Sequence, residues 1–178
     1  MNKEINIIIV EDSEDDTVLI ERALKKNGFT IKSKRVETIE SLKKVLTKKD
    51  IDLVISDYSL PTFNGIDTLK LVRKSNLDIP FILVSGKIGE DTAVEAMKLG
   101  ADDYIMKDNL IKLGPAVKRE LQDYENKRQE KIAKKELKKY HKKLEQINER
   151  LEEEVKDRKE AEINAINSKE YLQNVIDS

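Results

Sequence analysis

The stretch INIIIVEDSEDD, residues 5–16, sets a nearly unbroken apolar run directly against a block of acids. Six residues of that character, bounded by polar ones, read as a strand buried on both faces. Beyond it, Val18, Leu19, Ala23 and Leu24 repeat at helical spacing, and the same pairing of run and periodic stretch recurs down the chain. The runs at 31–36, 51–56, 79–85 and 103–106 read as further strands. The sets Ile39, Leu42, Val45, Leu46; Ile66, Leu69, Leu71, Val72; and Ala93, Val94, Met97, Leu99 read as the helices between them. Gly28, Gly65 and Gly100 punctuate helix ends, and Pro80 opens a strand where its missing N–H is tolerated. Five alternations of strand and helix predict an α/β fold, doubly wound around a buried five-stranded parallel sheet.

Composition limits what else the chain can be. At 178 residues it holds one ordinary domain and an extension. It has no cysteine, which removes disulfides and thiolate metal sites. No apolar run is long enough to span a bilayer, and none after the start forms a signal-peptide core, so the expected setting is cytoplasmic. A net charge of −1 argues for neither a nucleic-acid binder nor an acidic solubility tail.

After Gly114 and Pro115 the pattern changes. Pro115 suits the first turn of a helix, and neither Pro nor Gly appears again. Residues 118–162 carry 28 charged side chains, 15 basic and 13 acidic, too many for a globular core. Within them Leu137, Tyr140, Leu144, Ile147 and Leu151 are spaced 3, 4, 3 and 4, the rhythm of a coiled-coil seam. Val155 then comes four residues on where three was due, a stutter in the seam. A helix unbroken from Pro115 to Val175 would run roughly 90 Å at 1.5 Å per residue, and one so long with a single narrow apolar stripe needs a partner.

In open α/β sheets ligands lie beyond the carboxyl ends of the strands, so the residues delivered there carry the chemistry. The first strand delivers Glu11 and Asp12, the third Asp57, the fourth Ser85 and the fifth Lys107. Hard carboxylate oxygens with room for water suit Mg²⁺, and a hydroxyl and an ammonium beside them suit an oxyanion such as a phosphoryl group.

This set, with the segments DYSLPTFNG and GADDYIMK, resembles the receiver domain of two-component response regulators over residues 1–125. The resemblance implies a flavodoxin-like (βα)5 fold with Asp57 as phosphoacceptor, attacking a phosphohistidine on a partner. It implies Glu11 and Asp12 as the acid pair, with Asp12, Asp57 and the Ser59 backbone carbonyl ligating Mg²⁺ and Glu11 acting mainly through water. Ser85 would hydrogen-bond the phosphoryl oxygen, Lys107 would pair with it, and Tyr104 would be the aromatic switch that moves when Ser85 does. Ser59 and Lys87 stand where side chains tune phosphate lifetime in the family. One departure is Asp108 after the lysine, where many receivers have proline and a cis peptide; cis without proline costs about 3 to 4 kcal/mol.

Plainer readings absorb some residues. Glu14, Asp15 and Asp16 are taken as an acidic first helical turn favoured by the helix dipole. His141, the one histidine, lies in KYHKKLEQ without the acid that usually comes after a kinase phosphoacceptor, and reads as solvated helix surface. The lysine-rich run around it gives way to ERLEEEV, which points to alternating exposed faces rather than nucleic acid. No glycine-rich nucleotide motif occurs. The terminal SKEYLQNVIDS resembles the opening of a PAS sensor domain. The expected organisation is a receiver at 1–125, a coiled-coil signalling helix at 126–168 and the start of a PAS-like domain at 169–178.

The expected function is a phosphoacceptor receiver in a two-component phosphorelay, dependent on Mg²⁺ and paired as a parallel homodimer through residues 115–175. Its alternatives are the N-terminal part of a hybrid sensor histidine kinase, with the ATP-binding part beyond Ser178, and a receiver-like dimerisation scaffold that is never phosphorylated. No nucleic-acid or membrane partner is expected.

Overall fold

A computed structural model describes residues 4–48, 50–75, 77–86 and 90–176, without the side chains of 90, 91, 168 and 170–176. Lys87 and most of the stretch matched to a PAS opening lie outside the described side chains. The elements alternate as β1 (Ile5–Val10), α1 (Glu14–Lys26), β2 (Ile31–Val36), α2 (Ile39–Leu46), β3 (Leu53–Asp57), α3 (Gly65–Lys74), β4 (Phe81–Ser85), α4 (Glu90–Lys98), β5 (Asp103–Met106) and α5 (Leu113–Ile176). A 3₁₀ turn, Lys107–Lys112, joins β5 to α5.

All strands pair in parallel in the order β2-β1-β3-β4-β5, the flavodoxin-like arrangement. The order of strand addition reverses between β1 and β3, and the crevice at that switch point is where such folds bind ligands. Two strands begin later than their apolar runs. β3 starts at Leu53 and β4 at Phe81, because Pro80 has no N–H for a ladder; its carbonyl still accepts from Val54.

The central strands divide their side chains by the two-residue period of a strand. Ile8 and Val10 join Val54, Phe81 and Leu83 in a core with α2 and α3. Ile7 and Ile9 join Leu53, Ile55, Ile82 and Val84 in a second core with Ile20 and Leu24 of α1 and Leu113, Ala116 and Val117 of α5. With both faces covered, these strands must be apolar throughout. β2 lies at the sheet edge, so Lys32 and Lys34 of IKSKRV are exposed and its pattern alternates.

Helix starts are set by local chemistry. Ser13 caps α1 by accepting from the Asp16 amide, while Thr38 with Ser41 and Asn64 with Asp67 form reciprocal capping boxes on α2 and α3. Gly28 and Gly100 leave α1 and α4 at φ 83° and 97°, a conformation that disfavours any side chain. Gly65 opens α3 rather than ending a helix. A Cβ there would meet the Leu83 side chain and lie 2.9 Å from the Asp57 carbonyl.

At the rim where the strands begin, Arg73 at the end of α3 spans the two loops before β4 and β5. Nε and Nη2 donate to the Gly100 carbonyl, Nη1 donates to that of Ile79 at 2.7 Å, and Nη2 also reaches Asp102 Oδ2 at 2.7 Å. The same Asp102 oxygen accepts from the Phe81 amide at 2.8 Å.

The chain divides into two units, residues 1–127 and 128–178. The second is helical through Ile176, and every described side chain from 128 to 167 is exposed. The seam residues Leu137, Tyr140, Leu144, Ile147 and Leu151 keep 69%, 66%, 58%, 44% and 51% of their surface, so the unit builds no core of its own.

Candidate functional site

The carboxyl ends of β1, β3, β4 and β5 bring most of the expected residues to one edge. Glu11 leaves β1 almost fully buried, tied by its backbone amide to the Val36 carbonyl and by Oε1 to the Ser13 amide at 3.1 Å. Asp12 beside it is exposed, and its carbonyl accepts from Arg35 at 3.0 Å. Asp57 ends β3 and is 5% exposed. One of its oxygens accepts from the Ser59 amide at 3.3 Å, and Ser59 bridges to Asn64 to close the loop before α3.

Lys107 is the first residue past β5, and its ammonium gathers this edge. Nζ lies 2.8 Å from Glu11 Oε2, 2.8 Å from Asp57 Oδ2 and 2.6 Å from Asp16 Oδ2. Burial opposes that charge most strongly, but the hydrogen bonds to Asp16, Asp57 and Glu11 outweigh it and hold the ammonium above the ordinary lysine range. Burial also pushes the Glu11 carboxyl up, more than its bonds from Lys107 and the Ser13 amide pull it down. The Lys107–Asp108 peptide is trans.

Asp16 is a correction to the sequence reading, which left it with Glu14 and Asp15 as ordinary helix-start acids. It stands one helical turn past Asp12, and that spacing was the only sequence signal that it shares the edge.

Carboxylate oxygens of Glu11, Asp12 and Asp57 all lie within 4.8 Å of one another. Two are buried and one faces solvent, a donor set that fits a hard cation such as Mg²⁺ with water completing its shell. Ser85 is fully buried at the end of β4, and its hydroxyl has no hydrogen-bond partner among the described residues. Buried hydroxyls in native proteins almost always have a partner, ordered water or a ligand included.

Tyr104 is half-buried on β5 and packs against the core shared with α2 and α3. Its hydroxyl donates to the Met106 sulfur, and Met106 is paired in the sheet with Ser85. Burial, then the nearby Asp108 charge, raise its phenol. Met106 had no distinguishing mark in sequence. On the outer face of β5 and α5, Arg119 joins Asp103 Oδ2 at 2.6 Å and Glu120 at 2.8 Å.

Taken together, the sheet order and the acids and lysine at its carboxyl edge define a receiver-type signalling domain of the flavodoxin-like architecture. The chain belongs to the response regulator receiver domain family, whose model matches residues 7–117. It is similar to the response regulator SaeR of Staphylococcus aureus, 33% identical over 104 residues, a match covering 57% of this chain and 43% of that one. It thus spans less than half the length of the curated relatives it matches. Among solved structures, the receiver domain protein of Methanospirillum hungatei is 25% identical with a TM-score of 0.60, covering 70% of this chain and 99% of that one. The non-phosphorylated HemR receiver domain of Leptospira biflexa is 28% identical with a TM-score of 0.53, covering 64% and 94%. Residues 7–117 are therefore a response regulator receiver domain. No helix among the described residues is long and apolar enough to cross a membrane.

Proposed function

We propose that Asp57 accepts a phosphoryl group from a phosphohistidine on a partner kinase or phosphotransfer protein. The observation carrying this reading is the Lys107 ammonium 2.8 Å from the buried Asp57 carboxylate; the Ser85 hydroxyl, at the carboxyl end of the adjacent strand and without a partner among the described residues, supports it. In the transfer, an Asp57 oxygen bonds to phosphorus as the P–N bond of the phosphoimidazole breaks, and the imidazole nitrogen keeps the electron pair. Glu11, Asp12, Asp57 and the Ser59 carbonyl would hold Mg²⁺, which when bound neutralises charge on the equatorial phosphoryl oxygens. Lys107 donates to one of those oxygens and Ser85 to another, which gives the buried hydroxyl its missing partner. Phosphoryl transfer asks mainly for such positioning and charge compensation.

Output arises from the same contacts. A shift of Ser85 toward the phosphoryl group disturbs its sheet neighbour Met106, which accepts the Tyr104 hydroxyl, so Tyr104 can switch between positions. The exposed seam from Leu137 to Leu151 supports pairing of two chains in parallel through residues 115–175, with 126–168 as a signalling coiled coil. In this reading residues 1–125 are the receiver, 169–178 open a PAS-like module, and the whole protein is a receiver joined to a sensor or hybrid histidine kinase.

The test is incubation of the full chain with Mg²⁺ and acetyl phosphate, then measurement of intact mass. A gain of one phosphoryl group that Asp57→Asn abolishes is expected. No such gain overturns the reading in favour of an unphosphorylated dimerisation scaffold.

A further inference from the structure

Lys107 has three N–H donors and meets three carboxylates, so every donor is used. Two of the partners belong to the site already described: Glu11 just past β1 and Asp57 at the end of β3. The third is Asp16, 91 residues away in the chain and carried on α1. We infer that Asp16 is a positioning residue for the proposed phosphorylation site, the arm that holds the Lys107 ammonium over Asp57 from the solvent side.

The inference rests on the reading of Asp57 as phosphoacceptor and adds to it a residue outside the acid group that would hold Mg²⁺ and out of contact with the phosphoryl group. Its geometry separates Asp16 from a simple helix-start acid. A charge that only complements the helix dipole needs no contact, and Glu14 and Asp15 in the same turn are exposed. Asp16 alone of the three is half-buried and reaches across to Lys107 at 2.6 Å. Its own place is fixed, because its backbone amide donates to the capping Ser13 hydroxyl. The lysine needs such an anchor: it is a point charge on a flexible four-carbon stem, at the start of a 3₁₀ turn.

The arms also differ in what they can do during the reaction. When Asp57 becomes a phosphoester, its oxygen gives up the ammonium and a phosphoryl oxygen takes its place. Glu11 beneath and Asp16 above, with side chains 1% and 34% exposed, keep the cation in reach through that exchange. Asp16 therefore ties the first turn of α1 to the chemical state of Asp57.

The test uses phosphoramidate on the full chain with Mg²⁺; an Asp57 oxygen bonds to phosphorus, the P–N bond breaks, and ammonia leaves with the pair. Asp16→Ala should lower the rate at saturating phosphoramidate about ten-fold, the size of one charge-assisted hydrogen bond, with the half-saturating concentration little changed. Asp16→Asn, which keeps an acceptor oxygen, should recover most of the rate, and Asp15→Asn should match the wild type. In a Lys107→Ala background, Asp16→Ala should add nothing, since the two act as one unit. Wild-type rates in Asp16→Ala, or an equal loss whether or not Lys107 is present, overturn the positioning role while leaving Asp57 as acceptor. A wild-type chain that takes up no phosphoryl group overturns both readings together.

Discussion

The ammonium of Lys107 lies 2.8 Å from Asp57 Oδ2 although 50 residues separate them, and it is shared with two more carboxylates. One cation thus holds together an edge that would otherwise repel itself. Lys107→Ala should therefore cost about 3 kcal/mol of stability in metal-free buffer, the usual penalty for stripping the partner from buried charge. Urea denaturation in the presence of a chelator measures it, and a variant as stable as the wild type would refute this account.

Mg²⁺ should compete with the same repulsion. A cation bound only by the folded state stabilises by about 2.7 kcal/mol at a hundred times its dissociation constant. Thermal melting over a Mg²⁺ series should show that rise in the wild type. Asp12→Asn should shift the series to higher Mg²⁺, and Asp15→Asn should leave it in place.

Gly65→Ala should destabilise by about 1 to 3 kcal/mol, the range for overpacking, because its Cβ collides with Leu83 and crowds the Asp57 carbonyl. Since that carbonyl belongs to the proposed acceptor, phosphorylation should slow as well. Denaturation and the acetyl phosphate assay on one preparation test both halves.

The Glu21 carboxylate, on α1, accepts from the Ser33 hydroxyl on β2 and is held below its ordinary value chiefly by that bond, with Lys25 assisting. A depressed carboxylate stabilises the fold above its unfolded value near 4.5 and loses that contribution as pH falls through the folded one. Ser33→Ala should therefore cost about 1 kcal/mol at neutral pH, and less once the solution is acidic enough to protonate Glu21. Melting temperatures of the two proteins across an acid series check the sign.

Leu144→Glu and Ile147→Glu place charge in the exposed seam and should convert a dimer to a monomer at tens of micromolar. Light scattering reads this directly. A wild-type chain that is already monomeric there removes the coiled coil from the proposal.

Much of this was legible in residue order, for a physical reason. A parallel strand covered on both faces must be apolar throughout, so INIIIV and FILVS announced themselves, and the polar residues at the end of each run stand at the sheet's carboxyl edge. Glu11, Asp12, Asp57, Ser85 and Lys107 were found that way. Asp16 was not, because acids in a first helical turn are already accounted for by the helix dipole. Only the placement of α1 beside the turn after β5 shows its second partner. Gly65 likewise read as punctuation, since nothing local reveals that Leu83 and the Asp57 carbonyl press on it.

The guanidinium of Arg73, at the rim far from Asp57, gains a different meaning beside such a responsive edge. It pins the loops before β4 and β5 by their carbonyls, and a lysine there could not reproduce the planar fork. A toggle needs a stationary jaw as well as a moving one. By clamping one end of the two strands that lead to Ser85 and Lys107, Arg73 would leave any displacement proposed for the switch to their other end, much as a vice turns a free rod into a reed.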